Sequence, residues 1–227
     1  MSDSEEELIN AKASEAVRKL RDPSWKESDL SLRNNKIGVE GAKAVAVALK
    51  TNTSLTTLDL SGNDIGAEGA KAVVEALKVN KSLTVLKLNS NDIGFKGAKA
   101  VAEALKVNTS LAGLYLSDND TGDEGAKAVA EALKANTAIS ALYLAGNEIG
   151  DEGAKAVAEA LKDNTSLTTL SLQNNDISAD GGGAVAEALK VNKSLTTLDL
   201  YRNNMGDGAM ELVRQSWSNH ERENLHI

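Results

Sequence analysis

Few residues in this chain have the type and spacing that chemistry needs. Asp118-Asn119-Asp120-Thr121-Gly122 superficially resembles a calcium loop. An EF-hand loop requires Gly at its sixth position and a bidentate Glu at its twelfth. Counted from Asp118, those positions hold Asp123 and Val129. Both histidines, His220 and His226, fall in the C-terminal tail, outside any expected cleft, and nothing there would hold a Ser/His/Asp arrangement in place. The absence of cysteine removes disulfides, thiolate metal sites and a Cys nucleophile together. Gly-x-x-Gly-Ala recurs, but no Gly-x-x-x-x-Gly-Lys-Ser/Thr phosphate loop exists. Asp59 and Asp199 stand five repeat units apart and cannot form a carboxylate pair. The expectation is a non-enzyme without metal or cofactor.

Composition narrows the partner. The chain has 227 residues and a net charge of −8. Nucleic-acid affinity comes largely from Lys and Arg neutralising phosphates, so an acidic chain is a poor match for it. The same charge argues against an anionic membrane surface. No apolar run approaches the roughly 18 residues that span a bilayer. The acidic start, Met-Ser-Asp-Ser-Glu-Glu-Glu, has no apolar core of a signal peptide. A cytoplasmic location is therefore expected. Asn-x-Ser sequons at Asn52, Asn80, Asn108, Asn164 and Asn192 share one position of a repeat and read as a common turn.

The elements that would position any site follow from that repeat. Leu58, Leu86, Leu114, Leu142, Leu170 and Leu198 return every 28 residues, and Leu60 and its equivalents run in parallel. Asn35, Asn63, Asn91, Asn119, Asn147, Asn175 and Asn203 form a third row. A fixed period of this length marks a solenoid, whose units bury their apolar faces only against one another. Leu55-Thr-Thr-Leu58-Asp-Leu60 alternates like a short strand with one buried face. The apolar positions at 69/70, 72/73 and 76/77 follow helical spacing, and Asn80 reads as a residue ending the helix in a left-handed conformation. The side-chain amide of the Asn row can satisfy backbone groups left unpaired where the chain leaves the strand. That row is structural.

The pattern Leu-x-x-Leu-x-Leu-x-x-Asn-x-Ile-Gly-x-x-Gly-Ala resembles the leucine-rich repeat. Its 28-residue length and true helix are similar to the ribonuclease-inhibitor subfamily, also found in NOD-like receptors. The resemblance covers roughly residues 25–206. It implies an α/β fold: a right-handed α/β solenoid, with a parallel concave sheet of about seven strands and convex helices. Ala-rich helices about 8 Å apart over strands about 4.8 Å apart would bend the stack into a shallow crescent. Residues 1–24 read as a helical cap (a half-repeat), 25–206 as the solenoid, and 207–227 as a capping helix with a polar, mobile tail. Bulky Met210, Leu212, Val213 and Trp217 would close the core there. Mammalian ribonuclease inhibitors often carry Cys where this chain has ladder Asn, so ribonuclease binding does not transfer.

Recognition must use what does not repeat. In leucine-rich repeat proteins the concave sheet usually binds the partner, and its exposed rows vary here. One row reads Ser31, Asp59, Lys87, Tyr115, Tyr143, Ser171, Asp199, and the next includes Ser117, Ala145, Gln173 and Tyr201. All three tyrosines of the chain lie on these rows. Tyr115 and Tyr143 occupy equivalent sites in adjacent strands, among minimal neighbours at Gly113, Ala141, Ser117 and Ala145. Tyr is enriched in interface hot spots because it joins apolar area to a polar tip. The expected site is Tyr115, Tyr143, Lys87, Asp118, Tyr201 and Asp59, taking a protein or peptide. The expected state is a monomer, with a structural or self-associating module as the alternative. Phe95, alone of its type and set in an exposed loop leading into a helix, is either an edge contact or folded onto its neighbour. Thr121, standing where other units carry Ile, should weaken the stack locally. So should Gly181-Gly182-Gly183 at a helix start.

Overall fold

The computed structural model describes residues 10–218 and 224–227. Helix and strand alternate through α1 (Ala11–Arg21), β1 (Asp29–Ser31), α2 (Gly38–Leu49), β2 (Thr57–Asp59), α3 (Gly66–Leu77), β3 (Val85–Lys87), α4 (Gly94–Leu105) and β4 (Gly113–Tyr115). The second half continues with α5 (Gly122–Leu133), β5 (Ala141–Tyr143), α6 (Asp151–Asp163), β6 (Thr169–Ser171), α7 (Ala179–Val191), β7 (Thr197–Asp199), α8 (Gly206–Ser218) and β8 (Asn224–His226). The strands form one parallel sheet in sequential order, β1 to β8, and the two end strands are not neighbours. The solenoid is open.

In β1, β2, β3, β5 and β7 only the middle leucine is buried, because a parallel three-residue strand has one inward position between two outward ones; β4 also buries Gly113 and β6 also buries Ser171. Leu58 pairs with Leu86 and Leu114 with Leu142, a spacing of 28 residues throughout β1–β7. A second leucine (Leu60, Leu88, Leu116) and the Ile at 65, 93 and 149 are fully enclosed and join the helices' Val and Leu in one continuous core. Gly66 opens α3 at φ +59°, a left-handed conformation that costs glycine nothing.

Two asparagine ladders fasten the turns on either side of that core. Asn63 Nδ2 donates to the carbonyls of Leu32, Leu60 and Ser61 at 2.8–3.1 Å, and its Oδ1 accepts the Asn35 N–H at 3.0 Å. Asn91, Asn119, Asn147 and Asn175 repeat this bond to the leucine carbonyl 31 residues before. The second ladder uses the sequon row. Asn80 Nδ2 donates to the Leu49 and Asn52 carbonyls, both at 2.8 Å, while Oδ1 takes the Leu83 N–H at 2.9 Å. Asn108, Asn136, Asn164 and Asn192 repeat the bond to the leucine carbonyl 31 residues before. Asn80 is therefore a buried cross-link and not a left-handed helix stop; Asn164 and Asn192 have φ of −75° and −65°. These amide nitrogens are already committed to protein carbonyls.

The ends differ from the expectation in instructive ways. Of the helical cap expected over residues 1–24, the helix Ala11–Arg21 is seen, with residues 1–9 outside the described residues. Asn10 caps it, accepting the Ala13 N–H at 2.9 Å and donating to the Asn35 and Lys36 carbonyls at 2.7 and 2.8 Å. At the other end the tail expected to be mobile returns to the sheet as β8, pairing Leu198 with Leu225 at a spacing of 27. One residue is lost and the next repeat continues, an eighth strand where about seven were expected. Val213 and Trp217 seal the core, whereas Leu212 points outward at 50% exposure.

Interior irregularities have local causes. A Cβ built at Gly182 would lie 2.8 Å from the Met205 sulfur, so Gly there makes room for the Met that replaces Ile in the last repeat. Thr121 is 1% exposed and its Oγ1 has no hydrogen-bond partner among the described residues. On the convex face Glu75–Lys78, Glu103–Lys106, Glu131–Lys134 and Glu159–Lys162 pair at 2.6–2.7 Å. These exposed i,i+3 pairs are screened by water and contribute little to stability.

Candidate protein-interaction face

The parallel register places Ser31, Asp59, Lys87, Tyr115, Tyr143, Ser171, Asp199 and His226 side by side along one face of the sheet. His226, read as lying outside any cleft, instead stands next to Asp199 on this row. His220 lies outside the described residues.

At the middle of the row Tyr115 and Tyr143 stack, with ring centroids 4.3 Å apart and planes 11° from parallel. Lys87 Nζ sits 5.4 Å from the Tyr115 ring centroid, within cation–π range. Lys87, Tyr115 and Tyr143 are all half-buried. Small neighbours permit this: a Cβ built at Gly113 would lie 3.6 Å from Tyr115 Cε2 and 3.5 Å from a Val85 methyl. The Tyr115 ring thus leans over Gly113. Burial, and then the adjoining Tyr115 hydroxyl, raise the Tyr143 phenol above its ordinary value of 10.0. The stack is a neutral, planar surface with a lysine at one end.

The other expected residues divide by role. Asp59 Oδ1 accepts the Ser61 N–H at 2.9 Å, and Asp199 Oδ1 accepts the Tyr201 N–H at 3.0 Å, so both carboxylates brace the turn after their strand. Asp118 is exposed on the turn after β4, with its Oδ1 2.3 Å from where a Cβ on Gly146 would stand. Tyr201 is 48% exposed, two strands beyond Tyr143, with the Arg202 guanidinium 5.5 Å from its ring centroid. Phe95, 45% exposed on the convex side, carries Lys99 Nζ 5.4 Å from its centroid and so folds onto its own helix.

Two carboxylates that the repeat pattern did not single out cap helices across the repeat boundary. Asp123, at the start of α5, accepts the Gly150 and Gly153 N–H groups of the next unit, both at 2.8 Å. Asp151, at the start of α6, accepts from Ser178 N, Ser178 Oγ and Gly181 N at 2.6–2.9 Å. Partial desolvation opposes ionisation of Asp151, but these hydrogen bonds prevail and hold its carboxyl below the ordinary 3.8. Their signal in sequence is acid at 123 and 151 where the units at 39, 67, 95 and 179 carry Val, Ala or Phe, with Asp recurring only at 207.

Family models match most of this framework. A leucine-rich repeat model matches residues 28–46, 51–74 and 79–102, and a TMOD/LMOD leucine-rich domain model matches residues 117–214. The chain is a leucine-rich repeat protein. Among solved structures, this leucine-rich repeat protein is similar to one described as leiomodin-1 actin-binding site 2. That likeness covers 80% of this chain and 87% of the other, at 23% identity and a TM-score of 0.50. The tropomodulin C-terminal domain of Caenorhabditis elegans is similar over 66% of this chain and 91% of its own, at 13% identity and a TM-score of 0.58. At such identities the likeness concerns the fold alone. No curated protein matches the sequence.

Among the described residues, no group of three or more His, Cys, Asp or Glu is placed to hold a metal ion. Among them too, no helix is long and apolar enough to cross a membrane.

Proposed function

We propose that the protein is a non-enzymatic, cytoplasmic interaction scaffold that binds a protein or an extended peptide across the concave sheet, centred on β3–β5. The stacked Tyr115–Tyr143 pair carries this reading. It presents two half-buried aromatic rings, cleared of neighbouring bulk by Gly113, Ala141, Ser117 and Ala145, at the middle of the sheet. Aromatic anchors near the centre of a surface supply a disproportionate share of binding energy. Eight strands with a few outward residues each offer roughly 20 side chains, one side of a standard interface. The 28-residue unit with a full helix supports a ribonuclease-inhibitor-like subtype.

The reading predicts where a bound partner protects the molecule. Tyrosine-directed iodination of the protein, alone and with a partner captured from its native cell, should show Tyr115 and Tyr143 shielded in the complex. Unchanged labelling of both would place binding elsewhere. The leiomodin-1 structure is described as an actin-binding site, so actin is one ligand to include in that comparison.

A self-associating module is the second reading, favoured by the near-identity of the units. The charged outer face of α1, where Lys12 and Lys19 both pair with Glu15, opposes stacking through that end. A monomer is the expected state. Sedimentation across a concentration range decides between them: mass rising with concentration supports self-association.

A further inference from the structure

The concave face holds a second feature, at its C-terminal end. A cavity of about 390 Å³ opens between β6, β7 and β8, lined by Gln173, Asp199, Tyr201, Leu225, His226 and Ile227. It exists because the chain returns as β8 instead of ending at α8. Leu225 and Ile227, half-buried at the sheet's edge, provide an apolar floor. Asp199 is the only carboxylate side chain among the described residues of the lining. One of its oxygens takes the Tyr201 N–H at 3.0 Å, which leaves Oδ2 to face a ligand. The Tyr201 ring, 48% exposed, already has one guanidinium 5.5 Å from its centroid.

Such a lining suits a long cationic side chain. Its methylenes would lie on Leu225 and Ile227 while its head meets the Asp199 carboxylate and the tyrosine face. The geometry points to a partner segment that is extended and carries an aromatic residue and an Arg or Lys four positions apart. This rests on the concave-face reading above and names the partner's chemistry. Neighbouring strands lie about 4.8 Å apart, so the midpoint of the Tyr115–Tyr143 stack is about 12 Å from Asp199, two and a half strands away. An extended peptide advances about 3.3 Å per residue with alternate side chains on opposite faces. Residues i and i+4 therefore share a face at about 13 Å, whereas i and i+2 span only about 7 Å. The order is fixed as well: Lys87 stands on the far side of the stack, so the cationic residue lies toward β8 and not toward β3.

A random heptapeptide display library selected on the full-length protein tests this. Recovered sequences should pair Trp, Tyr or Phe with Arg or Lys four positions away. Asp199→Asn, which keeps an acceptor for the Tyr201 N–H, should erase the cationic preference, retain the aromatic one, and weaken the best peptide about fivefold. The idea is overturned by an unchanged preference in Asp199→Asn or by cationic residues scattered at other spacings. Acidic residues at that spacing would also overturn it, since they would assign the cavity to Arg202 and His226 instead. Failure of the underlying reading looks different: the Tyr115→Ala/Tyr143→Ala variant would then recover the same peptides as the native protein. A library yielding no binder overturns the extended-peptide partner.

Discussion

Thr121→Val isolates the cost of one buried hydroxyl. The site is 1% exposed, its Oγ1 has no partner, and the equivalent residues Ile65, Ile93, Ile149 and Ile177 are all fully enclosed. Leaving a buried hydroxyl unpaired costs about 1–3 kcal/mol, and putting a methyl in its place adds up to about 0.8 kcal/mol of apolar burial. The variant should therefore be more stable by about 2 kcal/mol. In a chain of this size that raises Tm by about 4–8 °C. Urea unfolding should show a higher midpoint with an unchanged slope. Thr121→Ser, which keeps the hydroxyl and deletes the methyl, should move the other way by about 1 kcal/mol. A Val variant no more stable than the native protein would refute the reasoning, because it would mean that the hydroxyl is satisfied.

Three further outcomes follow from the bonds described. Asn147→Leu orphans the Asn119 and Thr121 N–H groups, while the Leu116 carbonyl keeps its bond from Asn119 Nδ2; it should cost at least about 2 kcal/mol by urea unfolding, since each orphaned group costs about 1–3 kcal/mol. Asp151→Ala should cost about 1 kcal/mol as a lost helix cap. Because the folded Asp151 carboxyl lies below 3.8, its contribution is present above that pH and lost as the pH falls through the folded value, so the variant should lose less stability on acidification than the native protein. Tyr143 is displaced the opposite way: stability it lends below pH 10.0 is lost above it, and the ultraviolet titration component missing from Tyr143→Phe should lie above 10.0.

The framework was legible because packing demands repetition. Leu58, Leu60, Asn63 and Ile65 meet identical neighbours in every unit, so their types recur in register and expose the architecture. Residues whose surroundings are not repeated were harder to read. Leu225, at a spacing of 27 from Leu198, drops out of a 28-residue count, and β8 and the position of His226 drop out with it. A left-handed stop and a buried ladder both favour Asn, and only the bonds of Asn80 to Leu49 and Asn52 tell them apart. Gly182 looked like a weakened helix start until Met205 supplied the reason for it. The concave tyrosines stood out in sequence by breaking the pattern. Their stacking, and the lysine beside them, needed the sheet's register.

The most direct test of the central claim is the affinity of a captured partner for the native protein and for Tyr115→Ala/Tyr143→Ala, measured alongside the thermal melt of each. The variant should bind at least about tenfold more weakly, a loss of about 1.4 kcal/mol or more in binding. Its melting point should move by no more than the loss of one aromatic pair allows, about 1 kcal/mol. Undiminished affinity in a folded variant would contradict the account and place recognition off the tyrosine stack.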